Sequence, residues 1–586
     1  MPSLNALAQE KSLYLRQHAE QPVAWLPFSR EVFERARAEE KPLFISIGYS
    51  ACHWCHVMAR ESFEDEEIAA ILNENFIPVK VDREEHPEVD AVYLLACEIL
   101  RGQAGWPLTV LALPDGWPFF VATYLPKEGR GLRLGLKELL VAVQKTWQLD
   151  RQKILATAEE IKHALKQIRF ASPAPFDAQA VCEKAFRELS ENFDEQFGGF
   201  GKGPKFPLPL RLLFLLRLGQ ASGKGQALEM VRKTLLKMRF SGLFDQVGFG
   251  FHRYTIDRAW KIPHFEKMLY DQGLLLYLYA EAASLFGEAL FGRVAEEIVI
   301  YLRERLLEAE RGYFYTAESA ESEGEEGLFY TWSLEELEEV LSREERALLT
   351  DYFDLRPEGN YLEEATGRPC GRNILHPVKF PWELGESFEE KLVPILQKLK
   401  HEREKRPAPP RDEKILTDWN ALVIAGLARA GSMLGEKSFV EMAERAFSSL
   451  WEEARPAGRL LHIPGEERLP ALLEDYVFLS WAGVELAQAT KDTSYRQKAE
   501  TLLEEASELF RHPSGLYQQV GVDQGPFLIP YFSLFEGALP SGNGLLAYLL
   551  KLLGQEDAAE RLLFHVGGHL RENPSAFPSF LLALLI

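Results

Sequence analysis

Two cysteines stand three residues apart near the start of the chain, in the stretch SIGYSACHWCHVM. Cys52 and Cys55 have the C-x-x-C spacing of thiol–disulfide enzymes, and His56 extends it to the C-x-x-C-H attachment signature of a c-type haem. Two cysteines and two histidines so close together could also supply half of a zinc site. The motif alone therefore leaves three kinds of chemistry open.

The predicted elements around the motif favour thiol–disulfide exchange. The apolar run KPLFISIGY predicts a strand before it, and SFEDEEIAAILNENF predicts an amphipathic helix after it. This order would place Cys52 at a helix N-terminus, where free amides stabilise a thiolate, and Cys55 would resolve a mixed disulfide. Pro107 in GWPLTV is expected to face the pair, after a Trp106–Pro107 bond that can be cis. The predicted redox residues are Cys52, His53, Trp54, Cys55 and Pro107.

The other two chemistries need features that the sequence does not readily supply. A c-type haem needs an exported protein, and the first residues lack the apolar segment and cleavage site of a signal peptide. A zinc site needs a second pair of ligands, for which VDREEH (residues 81–86) offers acidic and histidine side chains. An inert C-x-x-C also stays open. We predict thiol chemistry, with no metal and no cofactor.

Composition limits the partners and the compartment. The chain has 66 Lys and Arg against 88 Asp and Glu, a net charge of −22, whereas nucleic acids and anionic membranes attract clustered basic residues. No apolar run reaches the ~20 residues that span a bilayer. Five cysteines in 586 residues suit a reducing compartment. We expect a cytoplasmic protein that binds neither nucleic acid nor membrane.

The hydrophobic pattern divides the chain in two. Residues 1–170 alternate between strand and helix in the order of an α/β thioredoxin-like fold with an N-terminal extension, and FASPAPFDA is a linker. Residues 171–586 contain helix pairs that end in Gly/aromatic segments, of which six are FDEQFGGFG, LFDQVGFGFHRY, AERGYFYTA, LRPEGNYLEE, ARPAGRLLHI and HPSGLYQQV. Such units bury their faces only against neighbours. We predict a multidomain protein whose second domain is an all-α (α/α)6 toroid, with an open solenoid as the alternative.

A second cluster of polar and aromatic residues lies in FHRYTIDRAWKIPHFEKMLYD. Pro263 is expected to open a helix on which His264, Lys267 and Asp271 share one face. In a toroid such residues gather at a central cleft, where aromatic rings stack on sugars and carboxylates act as acid or base. The candidate cleft residues are His252, Arg253, Trp260, His264, Glu266, Lys267, Tyr270, Asp271, Glu318, Asp418, Trp419, Asn420, Asp475 and Glu536, with Glu474 as a further acid.

Several segments resemble the spermatogenesis-associated protein 20 family, whose bacterial members are called YyaL-like. They include EKSLYLRQHAEQPVAW, the C-x-x-C stretch, GWPLTVLALPDGWPFF, GFGFHRYTIDRAWKIPHFEKMLYDQ and LPSGNG, and together they extend over nearly the whole chain. The resemblance implies a thioredoxin-like domain joined to a six-hairpin-glycosidase-like (α/α)6 domain. It implies little about the reaction.

The chain departs from ordinary thioredoxins at two positions. Ala51 stands where they have Trp, and Ser46 stands where they have a buried acid that aids proton transfer. Loss of that base would slow deprotonation of Cys55. Glu318 also replaces an Asp of the related family pattern, so a catalytic role does not carry over to it directly.

We therefore predict a thiol–disulfide redox protein whose toroid acts on or binds carbohydrate. The expected partners are a protein thiol or disulfide and a sugar-like small molecule. One alternative is a non-catalytic interaction protein with two binding modules. The other is a sugar epimerase or hydrolase in which the thioredoxin-like domain is accessory; an epimerase would use His252 and His264 as acid and base, and a hydrolase would need two carboxylates across the cleft.

Overall fold

The computed structural model describes residues 4–129, 131, 134–362, 367–385 and 387–586. The chain forms two compact units. The first comprises Met1–Phe170, Asp412–Lys414 and Gln518–Phe532, and the second comprises Ala171–Arg411, Ile415–Tyr517 and Ser533–Ile586. The Gly/aromatic segment LRPEGNYLEE ends at residues 363 and 364, which lie outside the described residues. No helix within the described ranges is long and apolar enough to cross a membrane.

The first unit is built on one sheet, which in its described residues has five strands in the order β1-β3-β2-β4-β5. The strands are β1 (Leu26–Pro27), β2 (Leu43–Gly48), β3 (Ile77–Asp82), β4 (Leu108–Ala112) and β5 (Pro118–Ala122). The helices are α1 (Leu13–Arg16), α2 (Arg30–Ala38), α3 (His53–Met58), α4 (Glu66–Asn75), α5 (Pro87–Arg101), α6 (Leu136–Leu149) and α7 (Arg151–Lys166). β2 runs parallel to β3 and antiparallel to β4. The predicted thioredoxin-like fold is confirmed.

The two central strands are buried on both faces, and the faces differ in chemistry. Alternate residues such as Ile45, Ile47 and Val79 join one hydrophobic cluster with side chains of α2, α5 and α7. Burial of each such side chain contributes roughly 1.5–3 kcal/mol. The opposite face carries Ser46 and Lys80, which are paired in the register and buried. On this polar face the Lys80 ammonium lies 4.4 Å from the ring centroid of Phe63, in the π-helical turn Ala59–Phe63 that follows α3.

Two segments from late in the sequence belong to the first unit, although the sequence places them in the second domain. Lys414 is bound by carboxylates at the end of β3, at 2.9 Å from Asp82. The ring of Phe527 lies 5.7 Å from that of Phe28 and 5.3 Å from that of Tyr93. Ion pairing and aromatic packing at such long sequence separation leave no local signal in the chain.

The second unit is mainly helical. Its helices are α8 (Ala178–Asn192), α9 (Pro209–Ser222), α10 (Gly225–Arg239), α11 (Leu269–Phe286), α12 (Ala289–Tyr301), α13 (Leu334–Val340), α14 (Arg343–Phe353), α15 (Phe388–Arg403), α16 (Thr417–Leu434), α17 (Lys437–Glu453), α18 (Leu473–Thr490), α19 (Thr493–Phe510), α20 (Gly542–Leu552), α21 (Glu556–Glu572) and α22 (Pro578–Ala583). Its short strands are β6 (Tyr254–Thr255), β7 (Pro263–His264), β8 (Lys267–Met268), β9 (Ala317–Glu318), β10 (Glu321–Ser322) and β11 (Glu325–Glu326). A last strand, β12 (Arg411–Asp412), spans the point where the chain passes into the first unit.

Six of the described helices close into a ring. Along the ring α9 contacts α11, α11 contacts α16, α16 contacts α18, α18 contacts α20, α20 contacts α22, and α22 returns to α9. The outer helices α10, α12, α17, α19 and α21 each pack on the inner helix before them, and α8 packs on the turn Pro574–Ala576. Inner helices such as α11 and α18 are buried on all sides, as their continuous apolar sequence requires. The predicted (α/α)6 toroid is confirmed.

The prediction that a helix starts at Pro263 is wrong. Pro263 and His264 form β7, in which His264 pairs with Tyr254. Lys267 starts β8 and pairs with Glu318 of β9. Because these backbones bond across to partner strands, α11 begins only at Leu269. His264, Lys267 and Asp271 therefore do not share one helical face.

Candidate functional site

The redox motif lies where the chain passes from β2 into α3. Cys52 is the N-cap of α3, its Sγ accepts the backbone N–H of Cys55 at 3.2 Å, and the two sulfurs form a disulfide. A π-helical turn, Ala59–Phe63, continues α3. The Cys55 amide lies in the first turn of the helix, where N–H groups have no carbonyl of a preceding turn to bond, and it is shared with the Cys52 carbonyl at 3.2 Å. After reduction of the disulfide, the same contact would stabilise a Cys52 thiolate.

Pro107 lies beside the end of β2. The Trp106–Pro107 peptide is cis, and Pro107 directly precedes β4. The register pairs Leu108 with Ile47, one residue before β2 ends. The ring of Trp106 lies 5.9 Å from that of Tyr49, in the segment that leads to the motif. The sheet thus brings this proline to the edge from which the cysteines follow.

The two sulfurs are shielded and the side chains between them are less so. Cys52 is 3% exposed and Cys55 is 1% exposed, whereas His53 and Trp54 are half-buried. The ring of Trp54 lies 5.1 Å from that of Tyr124. Tyr124 also lines a cavity of about 630 Å³ in the first unit. The accessible part of the motif is therefore its central dipeptide.

A buried cluster of one lysine and three carboxylates adjoins the motif. Lys414 Nζ lies 2.9 Å from Asp82, 2.9 Å from Glu84 and 2.6 Å from Asp412. The hydroxyl of Ser50 donates a hydrogen bond to Asp412. Burial raises the pKa of Glu84 to about 7, and the Lys414 charge opposes that shift. Asp82 and Glu84, which the sequence offered as zinc ligands, are ion-paired with an ammonium group.

A lysine stands next to the serine that replaces the usual buried acid. Lys80 Nζ donates a hydrogen bond to Ser46 Oγ at 3.0 Å, and Lys80 is 1% exposed. Sequence reasoning missed Lys80, although a lysine within the otherwise apolar strand IPVKVD is a visible signal. The polar face beneath the motif thus retains one titratable group on the neighbouring strand.

In the second unit, the first turns of the inner helices meet at one end of the ring. Tyr270 of α11 packs edge-on against Trp419 of α16, with ring centroids 4.7 Å apart. The N–H of Asp418 in α16 donates to Asp475 Oδ1 of α18 at 3.0 Å. These contacts link the amino ends of three consecutive inner helices.

The same pattern continues around the ring. A Cβ atom on Gly542, at the start of α20, would stand 2.7 Å from Glu474 Oε1 of α18. Glu536, in the loop before α20, accepts the N–H of Ser579 in α22 at 2.8 Å. The guanidinium of Arg211, in the first turn of α9, interacts electrostatically with Glu536. All six amino ends therefore share one end of the toroid.

Four acids at this end form what we call the carboxyl centre: Asp271, Asp418, Glu474 and Glu536. Burial raises the pKa of Asp418 to about 8, raises the pKa of Glu474 and Glu536 to about 7, and raises the pKa of Asp271 well above its ordinary range. Within the described residues no hydrogen bond reaches Asp271 Oδ2, either Glu474 oxygen or Glu536 Oε2. Carboxyls with a pKa near neutrality can both give and take a proton at pH 7.

Three of the predicted residues form a linked group beside Asp271. Arg253 Nη1 lies 3.1 Å from Glu266 Oε1, and His264 Nε2 lies 3.3 Å from the same oxygen. The charges of Arg253 and Glu266 act in opposite directions on the pKa of Asp271, after the dominant effect of burial. Although β7 and β8 replace the predicted helix, the chain still brings this group to α11.

Two further predicted residues lie in a buried charged network. Lys267 Nζ donates to Asp245 Oδ2 at 2.8 Å, and Arg403 Nη1 donates to Asp245 Oδ1 at 2.8 Å. His252 Nδ1 donates to the carbonyl of Phe265 at 2.9 Å. Burial lowers the pKa of His252 to about 3, so it is neutral at pH 7. The network satisfies its own charges and holds the loops before α11.

The remaining predicted residues fasten the fold. Glu318 accepts a hydrogen bond from the Tyr301 hydroxyl at 2.8 Å. The Asn420 side chain bonds both to the N–H of Phe314 at 2.8 Å and to its carbonyl at 2.9 Å. The fully buried indole of Trp260 donates to a backbone carbonyl at 3.0 Å. Each of these groups forms hydrogen bonds to neighbouring elements of the fold.

One set of metal-type ligands occurs in the part of the chain that the structure describes. Atoms of Asp418, His462 and Asp475 lie within 4.8 Å of one another. The Asp475 carboxylate accepts N–H groups from Asp418 at 3.0 Å, from Leu472 at 2.8 Å and from His462 Nδ1 at 2.9 Å. These bonds join the starts of α16 and α18, so we assign Asp475 to the positioning of Asp418.

The chain is similar to one family model and to several known proteins. The family model Thioredox_DsbH, a protein of unknown function (DUF255), matches residues 4–166. The chain is 35% identical to human spermatogenesis-associated protein 20 over 99% of its own length and 80% of the human protein, and 34% identical to the mouse protein with the same coverage. The cellobiose 2-epimerase of Bacillus thermoamylovorans aligns with 67% of this chain and 88% of its own, at 9% identity and a TM-score of 0.42. By its sequence identity along 99% of its length, the chain belongs to the spermatogenesis-associated protein 20 family.

Proposed function

We propose that the first unit carries out thiol–disulfide exchange through Cys52 and Cys55. One observation supports this most directly: the two sulfurs are joined at the start of α3, with the Cys55 N–H directed at Cys52 Sγ at 3.2 Å. That N–H favours the thiolate of Cys52 over that of Cys55. Cys52 is therefore the attacking thiol and Cys55 the resolving thiol.

The exchange proceeds in two balanced steps. The Cys52 thiolate attacks a partner disulfide, forms a mixed disulfide and expels one partner thiolate, which takes up a proton. Cys55 then loses its proton and attacks Cys52 Sγ, so the second partner thiolate leaves and the Cys52–Cys55 disulfide forms. A thiol reductant reverses both steps and returns the dithiol.

Access favours a small thiol or an extended chain as the partner. Cys52 is only 3% exposed, so a partner sulfur must pass the half-buried side chains of His53 and Trp54. A folded protein surface with a recessed disulfide would not reach it. Glutathione disulfide is a suitable first probe.

Adduct trapping tests this proposal. A Cys55→Ser variant should retain one glutathione in its intact mass, because the resolving thiol is absent, whereas Cys52→Ser should retain none. Both variants are made with Cys370→Ser, because Cys370 is exposed and would react on its own. Equal labelling of the two variants, or no labelling of either, would show that the pair does not work in this way.

We also propose that the carboxyl centre is an acid–base or binding site for a neutral polyhydroxylated molecule such as a sugar. The observation that favours it is the set of buried carboxyl oxygens that no described donor satisfies, beside the ring pair of Tyr270 and Trp419. Sugar hydroxyls could bond to such oxygens while aromatic faces pack on the ring of the sugar. An anion would be repelled once any of the four acids ionised.

Thermal shift measurements with D-glucose, D-mannose, N-acetylglucosamine and cellobiose test this second proposal. A sugar present at 100 times its Kd stabilises the protein by ~2.7 kcal/mol. Asp271→Asn should abolish the shift, whereas Glu467→Gln on an exposed loop should leave it intact. If no sugar produces a shift, the non-catalytic alternative is favoured for this unit.

A further inference from the structure

Lys80 lies in the middle of β3, on the polar face of the sheet. Its ammonium nitrogen is 4.4 Å from the ring centroid of Phe63, 4.7 Å from that of Trp25 and 5.3 Å from that of Tyr14. Its hydrogen bond goes to Ser46 Oγ at 3.0 Å. Within the described residues Lys80 forms no ion pair with a carboxylate.

This environment leaves both protonation states of Lys80 accessible. Burial lowers the pKa of Lys80 well below its ordinary value, because a charge loses its hydration in the interior. The faces of three aromatic rings attract the ammonium form and partly offset that loss. Because desolvation favours the neutral amine and the aromatic rings favour the ammonium form, the Lys80 amine can accept a proton and release it again.

Tyr14 lies between Lys80 and the resolving cysteine, and in this oxidised form its buried hydroxyl has no hydrogen-bond partner among the described residues, so it can bond the Cys55 thiol once the disulfide is reduced. A Cβ atom on Gly48 would stand 2.5 Å from the Tyr14 hydroxyl oxygen and 2.6 Å from Cys55 Sγ. The hydroxyl and the sulfur therefore flank the same glycine at the end of β2. Burial raises the pKa of Tyr14 well above its ordinary range, and the Ser46 side chain acts in the opposite direction. The hydroxyl is neutral at pH 7 and can pass a proton on without ionising for long.

Other titratable groups surround this path. The imidazole of His18 is buried, with its ring centroid 4.9 Å from that of Tyr14. Burial lowers the pKa of His18 well below its ordinary value, and the charges of Lys80 and His56 add to the effect. Asp82 also acts on Tyr14, but its carboxylate is bound by Ser12 at 2.6 Å and by Lys414. None of these groups reaches Lys80 as a counter-ion.

We propose that Lys80 accepts the Cys55 proton through the hydroxyls of Tyr14 and Ser46. This inference rests on the proposed thiol–disulfide exchange and concerns its second step. The proton moves from Cys55 Sγ to the Tyr14 oxygen, the Tyr14 proton moves to the Ser46 oxygen, and the Ser46 proton moves to the neutral amine of Lys80. The Cys55 thiolate then attacks Cys52 Sγ and expels the partner thiolate, which is protonated by solvent. Ordinary thioredoxins carry this base at the position of Ser46 on β2, whereas here the base is Lys80 on β3.

The two steps can be timed separately with 5,5′-dithiobis(2-nitrobenzoate) on the full chain reduced beforehand. Attack by Cys52 releases the first coloured thiolate, and resolution by Cys55 releases the second. The Cys370→Ser background removes the exposed thiol. If the first release never occurs, the proposed exchange itself fails; the present inference concerns only the second release.

Lys80→Met should slow the second release at pH 7 by about 100-fold, the lower end of what a positioned base contributes. Its pH profile should move upward, towards the value of about 8.5 for an unassisted thiol. The first release should stay within twofold of the parent. Lys153→Met, on an exposed face of α7, is the matched control and should change neither phase.

Two further variants separate proton transfer from a packing role. Lys80→Arg keeps a cation but cannot give up its proton, so it should be as slow as Lys80→Met. Tyr14→Phe keeps the ring and removes the hydroxyl, and it should show the same upward pH shift even if the Lys80 variants fail to fold. A normal second phase in Lys80→Arg, or an unshifted pH profile in Tyr14→Phe, would overturn the relay.

Discussion

Replacing Glu474 by Gln should stabilise the protein, and more so at high pH. The Glu474 side chain is buried at the start of α18 and has no well-formed hydrogen bond to the described residues; its own backbone N–H and the Ser533 hydroxyl lower its pKa by less than burial raises it. Burial raises the pKa of this carboxyl to about 7 from an ordinary value of 4.5. The folded protein therefore holds a proton there over a pH range in which the unfolded chain has lost it. Across that window stability falls as pH rises.

The expected size follows from the shift. Between pKa 4.5 and about 7, each unit is worth about 1.4 kcal/mol, so the full penalty on the native state is of order 3 kcal/mol above pH 8. At pH 5 most of this penalty has not yet developed, since pH 5 is only half a unit above the unfolded pKa of 4.5 and well below the folded pKa of about 7. Gln has the shape of the protonated acid and does not ionise. Glu474→Gln should therefore gain of order 2 kcal/mol more at pH 8.5 than at pH 5.

Thermal denaturation of the oxidised protein at the two pH values is the appropriate assay. The quantity of interest is the Tm gain of Glu474→Gln over the parent at pH 8.5 minus the gain at pH 5. Glu467→Gln, on the exposed loop before α18, removes one charge in the same region and should give a difference near zero. A gain that does not depend on pH, or a loss of stability at pH 8.5, would mean that the buried Glu474 is not the cause of the penalty.

Three other substitutions have clear expected results. Asp245→Asn leaves Lys267 and Arg403 buried without their carboxylate. Urea denaturation should therefore show a free energy of unfolding lower by about 3–5 kcal/mol. An unchanged denaturation midpoint would show that this network does not stabilise the fold. Lys414→Met leaves Asp82, Glu84 and Asp412 buried without a cation. The drop in Tm should be larger at pH 8 than at pH 5, because the acids can take up protons at the lower pH. A drop in Tm that does not depend on pH would argue against the cluster. Gly48→Ala places a Cβ 2.5 Å from the Tyr14 hydroxyl oxygen and 2.6 Å from Cys55 Sγ. It should lower the free energy of unfolding by about 1–3 kcal/mol and slow the second thiolate release. Release kinetics like those of the parent would show that the space around Gly48 is not tight.

The fold was predictable because its elements follow local periodicity. Strand and helix alternate through the first 170 residues with the spacing of a thioredoxin-like fold, and the later helices have the long apolar stretches of a buried ring. The two late segments that join the first unit could not be foreseen. Lys414 and Phe527 are held by ion pairs and ring contacts with residues hundreds of positions away, and neither contact leaves a periodic trace.

The site was predictable in its residue types more than in its geometry. The sequence predicts Asp271, Asp418 and Glu536 as residues of a central cleft; Asp271 and Asp418 lie in the first turns of α11 and α16, and Glu536 lies in the loop before α20. Pro263 misled because a proline can begin a helix or a short strand, and cross-strand bonding decided the outcome. Lys267 was selected by its charge and aromatic neighbours, but the interior supplies it with Asp245. Sequence shows which groups are ionisable and does not show which will be neutralised.

That distinction separates two kinds of buried charge in this protein. Lys267 lies 2.8 Å from Asp245, and Lys414 lies 2.6–2.9 Å from three carboxylates, so the burial of both is compensated and their removal should destabilise the fold. Within the described residues no counter-ion lies at such a distance from Lys80 or from the carboxyl centre, and the weaker attractions of aromatic rings and of Arg253 and Arg211 offset burial only in part. These groups therefore cost stability, and replacement of Lys80 by Met should raise the Tm at pH 7. A chain keeps an uncompensated buried charge against that cost when the group has another task. In this protein such groups occur behind the resolving cysteine and at the amino ends of the toroid, the two places to which we assign chemistry.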